Sequence, residues 1–225
     1  MIRSRVTFGI GLVAVSLILA TAAATAVSLI YLVELSFDTV VFVAGTLWIL
    51  QPSVAVIGLL GAYLVESARG DSSQTRHTRW TRERSVLVSA CVAEAVLIGT
   101  GLLFGFLYLP DAVAQATAFR VVVRTVLTLS LSMYLFWTAE RFTRTKARSL
   151  GTAAMTLAIF SAALEPSLLG YIFPAASALS TTTRPLLVAG LGFGVLSLVL
   201  WILLYTLVLP KTPGVRGSSP SSGGA

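Results

Sequence analysis

Six apolar blocks, each long enough to cross a bilayer and separated by short polar segments, leave this chain few ways to fold. About 20 consecutive apolar residues carry an α-helix across the hydrocarbon core, because each residue advances the helix by 1.5 Å. Hydropathy places the blocks at roughly 6–33, 39–65, 86–109, 120–139, 150–174 and 186–209. Inside lipid the backbone has to satisfy its own hydrogen bonds, so each block is expected to be helical. The expectation for residues 1–209 is therefore an all-α polytopic membrane bundle of about six transmembrane helices. The composition, 56% hydrophobic and 11% charged, agrees, since soluble domains carry about 25% charged residues.

The first block imitates a secretory signal. Arg3 and Arg5 precede the apolar run Val6 to Ala20, and small residues follow with an Ala24-Thr25-Ala26 cleavage box. The apolar stretch continues through Val27 to Val33 without a polar break, which favours a retained anchor.

Basic residues set the expected orientation. Arg3 and Arg5, then Arg69, Arg76, Arg79, Arg82 and Arg84, then Arg141, Arg144, Lys146 and Arg148, then Lys211 and Arg216 all fall on one set of flanks. Only Arg120, Arg124 and Arg184 fall on the other set. The positive-inside rule places both termini and the basic loops in the cytoplasm, which requires an even number of spans. Aromatic residues fit interfacial positions under this arrangement, with Tyr31, Tyr108 and Tyr171 outward and Tyr63, Tyr134, Trp137, Trp201 and Tyr205 inward. The outer connections, Glu34 to Asp38, Pro110 to Phe119 and Pro174 to Pro185, leave no room for a folded external domain. The Gly, Ser and Pro-rich tail over 210–225 has nothing to bury and is expected to be disordered and cytoplasmic.

Charge inside the blocks is the informative exception, because a charged side chain at the membrane centre costs about 2.5–3.5 kcal/mol on insertion scales. Glu94, Arg124 and Glu165 stand out, with Gln51 a weaker case. Counting helical rise puts Glu94 about 12 Å deep and Gln51 at a similar level, within reach of a mutual hydrogen bond. Arg124 and Glu165 both fall roughly 6–8 Å below the outer boundary, where an ion pair is the expected arrangement. Glu94 has no cationic partner at its depth in this reading and is the candidate proton carrier. It shares a helical face with Ala90, Cys91, Gly101 and Gly105, while Arg120, Arg124, Thr128 and Ser132 form a polar stripe at i, i+4. Both faces should turn into the bundle. Gln51-Pro52 and Glu165-Pro166 place a polar group just before a helix-disrupting residue, and transporters build ion and substrate sites at such interruptions. Buried polar pairs also serve simply to pin helices together.

The remaining motifs are less specific. Arg76, Arg79, Arg82 and Arg84, with His77 and Trp80, are candidate contacts for anionic headgroups or a protein partner, and nucleic acid is not expected. Gly101-x3-Gly105 and Gly190-x3-Gly194 match small-residue packing motifs, used here within one protomer or for homo-oligomerisation. The helix ends around Tyr63 to Glu66 and Tyr134 to Glu140 are loosely alike, consistent with either duplication or shared membrane-exit chemistry. One cysteine, Cys91, and one histidine, His77, cannot build a disulfide or a multi-ligand soft-metal site. No metal, cofactor or catalytic motif is implied. The leading expectation is a multi-pass cell-membrane transporter, or transporter-like subunit, with a polar pathway through Gln51, Glu94, Arg124 and Glu165. The alternative is a non-catalytic membrane subunit, scaffold or sensor that binds a partner through its basic loops.

Overall fold

A computed structural model describes residues 2–33, 37–70, 82–107, 113–142, 147–166, 168–169 and 183–208. Among them the chain forms six helices and no strand: α1 (Ile2–Leu32), α2 (Phe37–Gly70), α3 (Arg82–Leu107), α4 (Val113–Phe142), α5 (Ala147–Ala163) and α6 (Thr183–Val208). Five of these, all except α5, are long and apolar enough to cross a membrane. Large apolar side chains such as Phe8, Leu60, Val92, Leu102, Phe160 and Val188 are exposed along the helices. In water this would be an aggregation surface, and in a membrane it is the face offered to lipid. The chain is a membrane-spanning helical bundle.

Sequence-adjacent helices pack most extensively, giving the hairpins α1–α2, α3–α4 and α5–α6. The first helix lies centrally, also touching α4, α5 and α6, while α4 touches α1, α2, α3 and α5. Small residues permit the closest crossing. A Cβ on Gly9 would lie 2.6 Å from the Gly61 carbonyl oxygen, and one on Gly61 would lie 2.6 Å from that of Gly9. Dispersion and hydrogen bonding hold such crossings, because lipid tails are as apolar as the helices themselves. The polar links are distributed accordingly. Ser16 Oγ donates to the Val54 carbonyl at 2.8 Å, joining α1 to α2, and Ser197 Oγ donates to the Ala154 carbonyl at 2.8 Å, joining α6 to α5.

Some expectations change. The fifth block, expected as one helix over 150–174, stops at Ala163, and its 17 residues span about 25 Å, short of a hydrocarbon core of about 30 Å. Pro166 lacks an amide hydrogen and disfavours helical geometry at the residue before it. The Glu165 amide therefore bonds back to Ala162 at 3.2 Å, and a new turn starts as the amides of Leu168 and Leu169 donate to the Glu165 carbonyl at 3.0 Å. Pro52, by contrast, lies inside α2, which continues through it as one helix. Tyr134 and Trp201, expected as interfacial anchors, are instead buried in the core. Tyr63, its counterpart in the loosely similar helix ends, is 65% exposed against 1% for Tyr134. The tail over 210–225 and the residues Tyr108 and Tyr171 lie outside the described residues.

Candidate functional site

The polar residues were expected at two depths, Gln51 and Glu94 toward the cytoplasmic side and Arg124 and Glu165 toward the outer one, but the helix register brings them to one level of the bundle. Tyr134 Oη donates to the Ala62 carbonyl at 3.2 Å, fixing α4 against α2. Counting the same number of residues back along both helices brings Gln51 level with Val123 and Arg124. Across the other hairpin, the Ser89 and Ser130 hydroxyls meet at 3.2 Å, and Arg120 Nη1 donates to the Leu97 carbonyl at 3.0 Å. In that antiparallel register Glu94 falls level with Arg124 and Thr125. The break in α5 adds Glu165 at the same height through its contact with Arg124.

Arg124 and Glu165 form the expected ion pair, and both are buried, at 8% and 4% exposure. Arg124 Nη2 donates to Glu165 Oε2, and Nη1 donates to Oε1 at 3.4 Å. Such a two-pronged pairing combines charge compensation with fixed orientation. Glu165 sits where α5 ends and the chain turns.

Glu94 is equally buried, at 4% exposure, but among the described residues neither of its carboxyl oxygens has a hydrogen-bond partner. The bond expected to Gln51 does not form. Equal depth is not adjacency, since two residues at one level can face different sides of their helices. The cation that acts on Glu94 is one assigned to the outer flank from sequence: Arg120, itself buried, lies within electrostatic reach of both Glu94 and Arg124. Its guanidinium rests against Gly101, where a Cβ would come within 2.6 Å of Nη1. The polar stripe of α4 thus faces inward at Arg120, Arg124 and Ser132, as its periodicity implied. On α3, Ala90 and Glu94 are buried, whereas Cys91 is exposed and leaves the shared face expected for it.

Beside the Arg124–Glu165 pair lies a cavity of about 30 Å³ between α1, α4 and α5, with Thr21, Arg124, Thr125, Thr128 and Ser161 in its wall. That is room for about two water molecules, far below the several hundred Å³ of organic-ligand pockets. Thr21 and Thr125 donate to the carbonyls of Leu17 and Val121, each at 2.8 Å, which leaves their oxygens free to accept. Gly194 of α6 packs on Thr25 and Ser161, and Gly190 packs on Leu164, so this glycine pair serves contacts within the chain. The surroundings of Gly105 lie outside what the structure describes.

At the helix ends expected to be cytoplasmic, Glu66 of α2 accepts a hydrogen bond from Tyr134 Oη at 3.1 Å and lies 3.6 Å from Arg84 Nε of α3. Sequence reasoning missed this three-helix knot, although an acid and an arginine flanking one loop were a usable hint. Arg84, expected to face lipid headgroups or a partner, is about half exposed but has this internal counter-charge. Arg76 and Arg79, and the side chain of Arg82, lie outside the described residues. Among the described residues no cluster of metal-ligating side chains occurs. No protein-family model matches this chain, and neither a curated protein nor a solved structure shows significant similarity to it.

Proposed function

We propose that this chain conducts a proton or a small inorganic ion across the cell membrane, with Glu94 as the group that takes up and releases it. The supporting observation is that Glu94 is buried with both carboxyl oxygens unbonded among the described residues, level with a buried ion pair at a broken helix. Buried polar groups in folded proteins are nearly always hydrogen-bonded, and the exceptions concentrate where chemistry or ion movement requires them. An interrupted helix beside a polar cluster is the arrangement from which transporters form their ion sites. The cavity beside the ion pair has room for about two water molecules, which suits a proton or a largely dehydrated ion at that point. Gln51, Arg124 and Glu165 complete the polar layer in this reading, and the basic flanks hold both termini on the cytoplasmic side. In vesicles reconstituted with the purified chain and subjected to a pH gradient, Glu94→Gln should abolish ion-linked flux. Unchanged flux in a folded variant would remove the proposal.

A second reading is favoured by the polar links tying neighbouring helices, through Ser16, Tyr134, Ser197 and the Arg124–Glu165 pair. In it the chain is a rigid, non-catalytic membrane subunit whose basic loops, including Arg76, Arg79, Arg82 and Arg84, bind anionic lipid or a protein partner. Neutralising those four arginines should then release the co-purifying partner or lipid. A complex that survives the substitutions would dismiss this reading.

A further inference from the structure

Three helices bring hydrogen-bond acceptors to the cavity beside the Arg124–Glu165 pair. Thr21 of α1 and Thr125 of α4 have given their hydroxyl protons to the carbonyls of Leu17 and Val121, so their oxygens have only lone pairs left to offer. Thr128 adds a further hydroxyl from α4. Ser161 of α5, in the same wall and 6% exposed, adds two groups, a hydroxyl and a backbone carbonyl. That carbonyl has lost its usual helical donor, because the amide four residues on, that of Glu165, bonds to Ala162 instead. The cause is Pro166, which ends α5 and shifts the last bond to a tighter turn. The helix break thus releases an acceptor on a residue of the cavity wall.

Charge selects among the residents that about 30 Å³ can hold. An anion would face these lone pairs, and the guanidinium that could attract it is already engaged by both oxygens of Glu165. A resident metal or ammonium cation would lie beside that same guanidinium, and the carboxylate that could compensate it is engaged as well. A neutral molecule with protons to donate satisfies the acceptors and leaves the charge balance of the pair untouched. At this size that molecule is water, which takes two to four polar partners. We propose that the cavity is a built water site, in which about two ordered water molecules donate to Thr21, Thr125 and the Ser161 carbonyl beside the Arg124–Glu165 pair. The water joins α1, α4 and α5. Direct packing joins α1 to α5 far less than it joins either of them to α6, so the bridge falls where the bundle is least closely knit.

Solid-state NMR of the full chain in lipid bilayers, with serine and threonine carbon-labelled, reads the site through magnetisation transfer from water protons. The Thr21 and Thr125 signals are assigned by their loss in Thr21→Val and Thr125→Val. Ser16 and Ser197, buried at helix crossings with their protons given to carbonyls, are the dry references. Transfer to Thr21 and Thr125 should build up several-fold faster than transfer to those two serines. Ala158→Val, which puts two methyl groups into the cavity wall, should bring both threonines to the reference rate. Thr125→Val, which keeps the size and removes one acceptor, should slow the build-up at Thr21, and it serves in place of Ala158→Val should that variant fail to fold. Exchanging sodium for choline, or chloride for gluconate, should change nothing. Reference-like transfer at both threonines in the unaltered chain, transfer that survives both substitutions, or transfer lost on adding sodium or chloride overturns the proposal. The site goes beyond the transport reading and does not depend on it. Flux is not measured, so a chain that carries no ion can still hold this water, and a dry cavity leaves the role of Glu94 to its own test.

Discussion

Two arginine–glutamate combinations meet at α4 one helical turn apart, and they end in opposite states. Arg124 closes on Glu165, whereas Arg120 binds a backbone carbonyl and leaves Glu94 without a hydrogen bond. Burial is alike in the two cases, so depth does not explain the difference. Backbone setting does. Glu165 sits where Pro166 stops a helix, and its carboxylate can present both oxygens to one guanidinium. Glu94 lies in the middle of an unbroken helix among Ala90, Ala93 and Leu97, and the Arg120 guanidinium lies against Leu97 and Gly101, three to seven residues further along α3. The first arrangement closes a charge pair, and the second leaves a buried carboxyl without a hydrogen bond among the described residues.

The largest expected effect comes from breaking the closed pair. Either Arg124→Gln or Glu165→Gln should lower stability in detergent unfolding by about 3–5 kcal/mol, because each strands a buried charge. The double variant should lose clearly less than the sum, and strict additivity would mean the two side chains do not act as a pair. A smaller contrast compares backbone packing with flexible packing. Gly61→Ala, driven into the Gly9 carbonyl, should lose about 1–3 kcal/mol, whereas Gly101→Ala meets only the end of the Arg120 side chain and should lose less. Equal losses in thermal unfolding would show that Arg120 is held as rigidly as a backbone. Tyr134→Phe removes the hydroxyl that bridges Ala62 and Glu66 and should lose about 1 kcal/mol. A larger loss would shift the weight of the bundle toward the Glu66 end. Smallest of all is the expected stability change for Glu94→Gln, within about 0.5 kcal/mol, since no hydrogen bond is removed. A loss comparable to that of Glu165→Gln would erase the distinction between the two sites.

Much of the site was legible from residue numbers alone. Helical rise correctly placed Arg124 opposite Glu165, and it put Gln51 and Glu94 at a common level. What it missed was lateral. Rise along an axis does not say which way a side chain turns, so the Gln51–Glu94 bond was expected and Arg120 was left among the outer flanking charges. Tyr134 and Trp201 illustrate the same gap. Aromatic residues near a helix end suit an interface, and only their neighbours reveal that they face protein. The end of α5 was half legible: Pro166 marked the position of a disruption, but the block was expected to run on as one helix to 174.

Apolar block length and backbone hydrogen-bond satisfaction determined, before any coordinates, that this polypeptide is a helical membrane bundle and roughly where its helices run. Packing alone decided which polar group met which partner. Lipid and a neighbouring helix are nearly equivalent surroundings for an apolar face, so hydropathy does not distinguish them. The choice is made by close fits such as Gly9 against Gly61 and Gly101 against Arg120, which exist only once the helices are side by side.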